Sequence, residues 1–281
     1  MRDGVPTLMR LFDKFGIRAS FFISCGPDHS GRALRRLLRP GFLTKMLRTS
    51  AVGMYGWRTI LYGTLLPGPQ IVRSFPETAR ALVRAGHEVG MHGYDHVYWQ
   101  DRLPSLSPVE IAAELERGRA AFTEAVGMPP RAFGAPGWQC TPASLAAEDA
   151  AGFVYHTDTR GAAPFLPEMD GQRFRTLEIP TTWPTLDETY GRVGTSAHEL
   201  TACYHKQLDP AFNVHTIHAE MEGTRYVALL TDLLDALRGE VRFMRLTDVA
   251  EREGSPPVAR VCPRLIPGRA GTVACQKPAG S

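Results

Sequence analysis

At 281 residues the chain is long enough for one large α/β domain or two small ones with a substantial core. Hydrophobic residues make up 43% and charged residues 22%, an ordinary globular balance, and no run of 18 apolar residues is present to span a membrane. The net charge of +3 is too small to argue for nucleic acid, and the five scattered cysteines, with no CxxC pair, suit reduced thiols in a cytosolic compartment.

The opening MRDGVPTLMRLFDKFG lacks an apolar core and a small-residue cleavage site, so no secretory signal is expected. Apolar periodicity predicts a helix over 4–15, closed by Gly16, then a strand over 18–24. A second helix runs over 77–85 and leads into the strand HEVGMH. Ser107, Pro108 and Glu110 form a capping-box start for a helix ending near Gly127. Thr141-Pro142 opens another helix, which Gly152 stops before the strand FVYHT. LEIP and FNVHTIH read as further strands, and a helix over 224–238 leads into VRFMRL. The alternation implies β-α units around a mostly parallel sheet, in the manner of a distorted (β/α) barrel, over residues 1–253. Residues 254–281 are rich in Pro and Gly, show no period, and are expected to form a mobile tail.

An insertion at about 30–75 departs from the pattern. From 29 to 76 there is no Asp or Glu, while Arg32, Arg35, Arg36, Arg39, Lys45, Arg48, Arg58 and Arg73 alternate with Leu, Met, Tyr and Trp57. That mixture suits an anionic membrane surface or a lipid-linked substrate; the alternative is a lid whose apolar residues pack on the main domain.

The sharpest local motif is His92-Gly-Tyr-Asp-His96 at the end of a predicted strand, where parallel α/β folds place their ligands. Two histidines four apart can converge on one metal, and equally can be two unrelated surface histidines. His215 and His218 lie near the end of another predicted strand, and their spacing puts them on opposite faces. One of the two is therefore structural, and His218, at the strand's end, is the better candidate for a general acid, with Glu220 to orient it or titrate with it. Asp158 and Arg160 follow a third strand and either serve the site or pair with each other. Trp138, on the turn Ala135-Pro136-Gly137-Trp138, is either core or a substrate platform.

These motifs resemble those of the NodB-type polysaccharide deacetylases. HGYDH resembles their metal-binding second motif, and TIHAE their last motif. RDGVPTLMRLFDKFGIRASFFIS, GPD (ending at Asp28) before the RRLLRP insertion, YGW, AGHEVGMHGYDH, APGWQ, YHTDTRG, IPTTWPTLDETYGR and TIHAEMEG extend the resemblance from residue 2 to about 250. They are most similar to the branch that deformylates undecaprenyl-phosphate-linked 4-deoxy-4-formamido-L-arabinose. The resemblance implies a divalent metal, Zn2+ or another first-row ion, held by His92, His96 and an aspartate. It further implies His218 as the acid that protonates the leaving amine. Asp158, Arg160, Glu220, Trp138 and Asp28 are implied around the substrate or behind the ligands, and Arg35, Arg36, Arg39 and Trp57 at the lipid. The implied place of work is the cytoplasmic face of the bacterial inner membrane, in lipid A modification and antibiotic resistance.

The family also carries an Asp-x-Asp motif at the end of a first strand, just before the stretch matching RDGVPTL. The sequence opens at Met1-Arg-Asp-Gly, so the chain as written is expected to lack the base and the third ligand and to be inactive or nearly so. A misplaced start, a pseudoenzyme that binds the lipid-linked sugar, and a generic polysaccharide N-deacetylase are the competing accounts.

Overall fold

A computed structural model describes residues 1–32, 61–269 and 271–277. Helix α1 (Gly4–Phe15) buries Val5, Leu8, Leu11 and Phe12, a three-and-four spacing that makes one apolar stripe, and Gly16 ends it at φ 68°. Strand β1 (Ser20–Ile23) follows. A short helix α2 (Ile71–Ser74) and α3 (Pro76–Arg84) then lead into β2 (Glu88–Met91). Helix α4 (His96–Arg102) is capped by Asp95, and α5 (Pro108–Val126) starts with the full Ser107/Glu110 capping box. Strand β3 (Ala132–Phe133), helix α6 (Pro142–Ala151) and strand β4 (Tyr155–His156) complete the first half.

In the second half, β5 (Leu166–Met169) and β6 (Gln172–Arg173) form a hairpin before β7 (Leu177–Glu178). Helices α7 (Leu186–Thr189), α8 (Ala197–His205), α9 (Val227–Ala236) and α10 (Leu246–Ala250) come next, and β8 (Val258–Leu265) and β9 (Thr272–Gln276) follow.

The main sheet is parallel throughout, in the order β1-β2-β3-β4-β7. Its interior gathers Ala132, Tyr155, Leu177 and Ile179, with Phe22, Phe212, Val214 and Leu246 packed against them. The sheet therefore curves around a shared interior as a distorted α/β barrel. On the outside, Met91 and Phe133 pack against Trp99, Leu115 and Phe122 of the helices. Leu8, Leu11 and Phe12 meet Leu230 and Leu234 of α9.

Three sequence expectations are corrected. FNVHTIH is extended but forms no strand: Val214 O accepts from both Thr182 N and Trp183 N at 3.1 Å, and Val214 N donates to the Thr182 hydroxyl at 2.9 Å. A hydroxyl stands where a backbone ladder would need a carbonyl. VRFMRL likewise forms no strand, and the Leu246 amide donates to Ser20 Oγ at 2.8 Å. The tail expected to be irregular instead forms β8 and β9, which pair antiparallel, while β8 adds parallel to β5 in a second sheet of order β6-β5-β8-β9.

Candidate active site

His92 follows the last residue of β2, and its amide continues the ladder by donating to Ile23 O at 2.9 Å. The next residue, Gly93, sits at φ 68°, and a Cβ there would meet Pro136 at 3.0 Å, so the bend that turns the chain from strand to helix requires glycine. Asp95 then starts α4: Oδ1 accepts from Val97 N at 3.2 Å and Tyr98 N at 3.0 Å, and Oδ2 meets His29 Nδ1 at 2.6 Å. This bend and cap hold the His92 and His96 rings side by side, with centroids 5.0 Å apart and planes at 58°.

The His92 tautomer follows from its partner. Gly134 O can only accept, so Nδ1–H donates to it at 2.7 Å and Nε2 keeps its lone pair. Burial lowers the His92 pKa to about 4, with a further push from His218, so the ring is neutral near pH 7. A neutral imidazole whose other nitrogen is anchored to a carbonyl is a prepared metal ligand, and the pair fits a divalent cation. Among the described residues no third His, Cys, Asp or Glu joins His92 and His96 in a three-donor cluster.

His218 enters this field from the segment beyond Thr216. Its amide donates to Glu222 Oε2 at 2.9 Å, and its Nδ1 is buried without a hydrogen-bond partner. Burial raises the Glu222 pKa to about 7, against the opposing pull of His218. The carboxylate against His218 is thus Glu222, two residues beyond the expected Glu220, which is exposed and binds Thr224 only through its backbone carbonyl. The His215 ring packs between aromatic rings, with its centroid 5.5 Å from Trp183 and 4.7 Å from Tyr204.

Asp158 and Arg160 do not pair with each other. Asp158 is wholly buried, and its Oδ1 accepts from Ala135 N at 2.8 Å, which ties it to the turn carrying Trp138. It has no surface to offer a sugar. Arg160 donates to both oxygens of Glu188 at 2.9 and 3.1 Å and to Trp183 O at 2.7 Å. Trp138 lies under two guanidinium groups, Arg160 at 5.1 Å and Arg269 at 4.6 Å, and its Nε1 donates to Thr181 Oγ1 at 3.2 Å. At 7% exposure it is a wall rather than an open platform. Asp28 is occupied by Ser30, through the amide at 3.0 Å and the hydroxyl at 2.5 Å. A cleft of about 310 Å³ opens beside Arg160, lined also by Thr181, Thr182, Arg264 and Ile266. Arg35, Arg36, Arg39 and Trp57 lie outside the described residues.

Sequence reasoning missed Glu222, Glu188, Arg269 and His29. The last of these directly follows the candidate Asp28. Local spacing carried no signal for Glu188 and Arg269, which arrive from separate elements.

The polysaccharide deacetylase family model matches residues 1–156. A relative from Shewanella sediminis, named "Probable 4-deoxy-4-formamido-L-arabinose-phosphoundecaprenol deformylase ArnD", is 36% identical over 98% of this chain and 90% of its own length. One of the same name from Wigglesworthia glossinidia brevipalpis is 31% identical over 98% of this chain and 97% of its own length. A family 4 acetyl xylan esterase from Clostridium thermocellum, solved with a cobalt ion, matches in fold with a TM-score of 0.53 at 13% identity, covering 91% of this chain and 88% of the esterase. The prepared histidine pair at the end of β2, the curved parallel sheet and these near-full-length likenesses agree, and the chain belongs to the polysaccharide deacetylase family.

Proposed function

We propose that this protein hydrolyses the formamide of undecaprenyl-phosphate-linked 4-deoxy-4-formamido-L-arabinose, releasing formate and the free amine. The substrate follows the name of the relatives that match nearly the whole chain. The chemistry rests on one geometric observation: His92 commits Nδ1–H to Gly134 O and keeps Nε2 free beside His96. These two side chains would hold the divalent metal that the family uses, Zn2+ or another first-row ion. Bound there, the ion supplies Lewis acidity to the formyl carbonyl.

The remaining steps belong to the protein. Water adds to the formyl carbon and gives up a proton to solvent, the carbon–nitrogen bond breaks, and the departing nitrogen takes a proton from His218, leaving formate and the amine. Glu222, held on the His218 amide, keeps that backbone in place as the charge on the ring changes. Arg160, anchored by Glu188, and Arg264 give the neighbouring cleft a positive wall suited to a phosphodiester. A lipid-linked substrate calls for work at the cytoplasmic face of the inner membrane, and no helix among the described residues is long and apolar enough to cross one. The one-sign basic stretch around Arg35, Arg36, Arg39 and Trp57 supports contact with anionic lipid.

Formate release from the lipid-linked formamido sugar by the protein isolated from its source tests the reading. His92→Ala is expected to cut the rate by at least about 10²-fold. Acetate release from an N-acetylated polymer, with no formate from the sugar, would move the protein to the polymer deacetylases. Deleting residues 32–66 should weaken co-sedimentation with anionic liposomes; unchanged binding by the folded deletion variant would remove the membrane role.

A further inference from the structure

Three acids and an imidazole are shut inside the molecule where α6 meets the adjoining ends of β4 and β7. Glu148, His156, Asp158 and Glu178 have no exposed surface at all. Glu178 is well satisfied: it accepts from the amides of Asp158 and Thr159 and from the Thr159 hydroxyl, and its Oε2 lies 2.5 Å from His156 Nδ1. Asp158 Oδ1 is satisfied by the Ala135 amide. The other oxygens are not. Asp158 Oδ2 and both oxygens of Glu148 are buried with no N–H or hydroxyl donor, and the two acids have only each other.

Those oxygens surround one point. His156 Nδ1 is 3.4 Å from Asp158 Oδ2 and 3.9 Å from Glu148 Oε2, and one donor atom from each of the three residues lies within 4.8 Å of the other two, so a cation bound there takes the place of the proton that Nδ1 shares with Glu178. Donors that share a first-row divalent ion at about 2.0–2.2 Å stand roughly 3.3–3.6 Å apart in a tetrahedron, so the spacing observed needs little adjustment to accept one. A mixed imidazole and carboxylate set suits Zn2+ or Mn2+ better than a purely oxygen-seeking ion. Burial raises the pKa values of Glu148 and Asp158, so without a cation the two acids face each other and share protons, and a cation at their centre would release those protons and balance the charge.

We propose that Glu148, His156 and Asp158 bind a structural divalent cation inside the protein, apart from the His92–His96 pair and with Glu178 packed beside it. The cation joins α6 to the end of β4, which otherwise meet there through two acids. Through Asp158 Oδ1 and the Ala135 amide it also steadies the turn whose Gly137 and Trp138 both have positive φ, 67° and 52°. Its role is positioning, with no contact to substrate, and it does not depend on which acyl group the enzyme removes.

The test removes the other site first. The His92→Ala/His96→Ala double variant is expressed with Zn2+ or Mn2+ in the medium, dialysed, and assayed for metal by plasma mass spectrometry. About one equivalent is expected to remain, and stripping it with a chelator should lower the melting temperature, with Zn2+ or Mn2+ restoring it. Adding Glu148→Gln should abolish both the retained metal and the metal-dependent melting shift. A double variant that holds no metal and melts alike with and without either ion overturns the proposal and leaves protons shared among the acids. Metal retained unchanged by a folded Glu148→Gln protein overturns it too. If that variant does not fold, the melting shift of the double variant decides.

Discussion

His215 illustrates how burial, aided by nearby charges, sets a residue's chemistry. Caged by Trp183 and Tyr204, it is pushed down to a pKa of about 3, first by desolvation and then by the charges of His218 and Arg160. A lowered folded pKa means that the unfolded chain binds more protons, so the contribution is intact above about 6.5 and is lost as pH falls toward 3. Every tenfold loss of proton affinity on folding is worth about 1.4 kcal/mol. His215→Gln should flatten the fall in urea stability over that range relative to wild type; parallel profiles would show that His215 is not the titrating group. Glu188 carries a second prediction. It holds both Arg160 and Arg269 at 1% side-chain exposure, so Glu188→Gln leaves two guanidinium groups crowded around Trp138 without their counter-charge. Breaking such a buried pair costs about 3–5 kcal/mol, to be read as a lower urea midpoint at unchanged m-value.

At the scale of elements, the helices were the most legible. Their ends are written in residues that act locally, such as Ser107, Pro108 and Glu110 before α5 and Gly127 at φ 91° after it. Ser107→Ala should therefore cost about 1 kcal/mol in urea unfolding, with no effect on activity. The bend between His92 and His96 is local in the same way, since Gly93 at positive φ and the Asp95 cap turn the chain there, while Gly134 and His29 hold it from a distance. The rest depended on distant partners. The stretch over 212–218 has the apolar alternation of a strand, but its pairing partner offers a Thr182 hydroxyl where a ladder needs a carbonyl. Strand β8 pairs Val258 with Leu166 in parallel, and Pro263 within it, with Pro256 and Pro257 just before it, hides the period that would have announced it. Glu188 and Glu222 meet Arg160 and His218 only because the fold carries them there, and no spacing rule connects those positions.

At the scale of the molecule, the curved sheet and the smaller sheet meet along Arg160. Its amide donates to Ala274 O at 2.9 Å, and its carbonyl accepts from Gln276 N at 2.7 Å, while Trp138 packs against Val273 and Cys275. Ending the chain after Gly254 should thus strip the backbone partners from Arg160, expose β5 along an edge, and lower both soluble yield and melting temperature. A shortened chain that melts like the full one would show that the second sheet is an ornament. The same arrangement bears on how the protein is made. Synthesis runs from the amino terminus, so the histidine pair and most of the curved sheet emerge before the strand that completes the Arg160 wall. Until that strand has left the ribosome, a growing chain presents a half-built basic cleft with an open β edge, and a helper that shields nascent strands has its clearest task there.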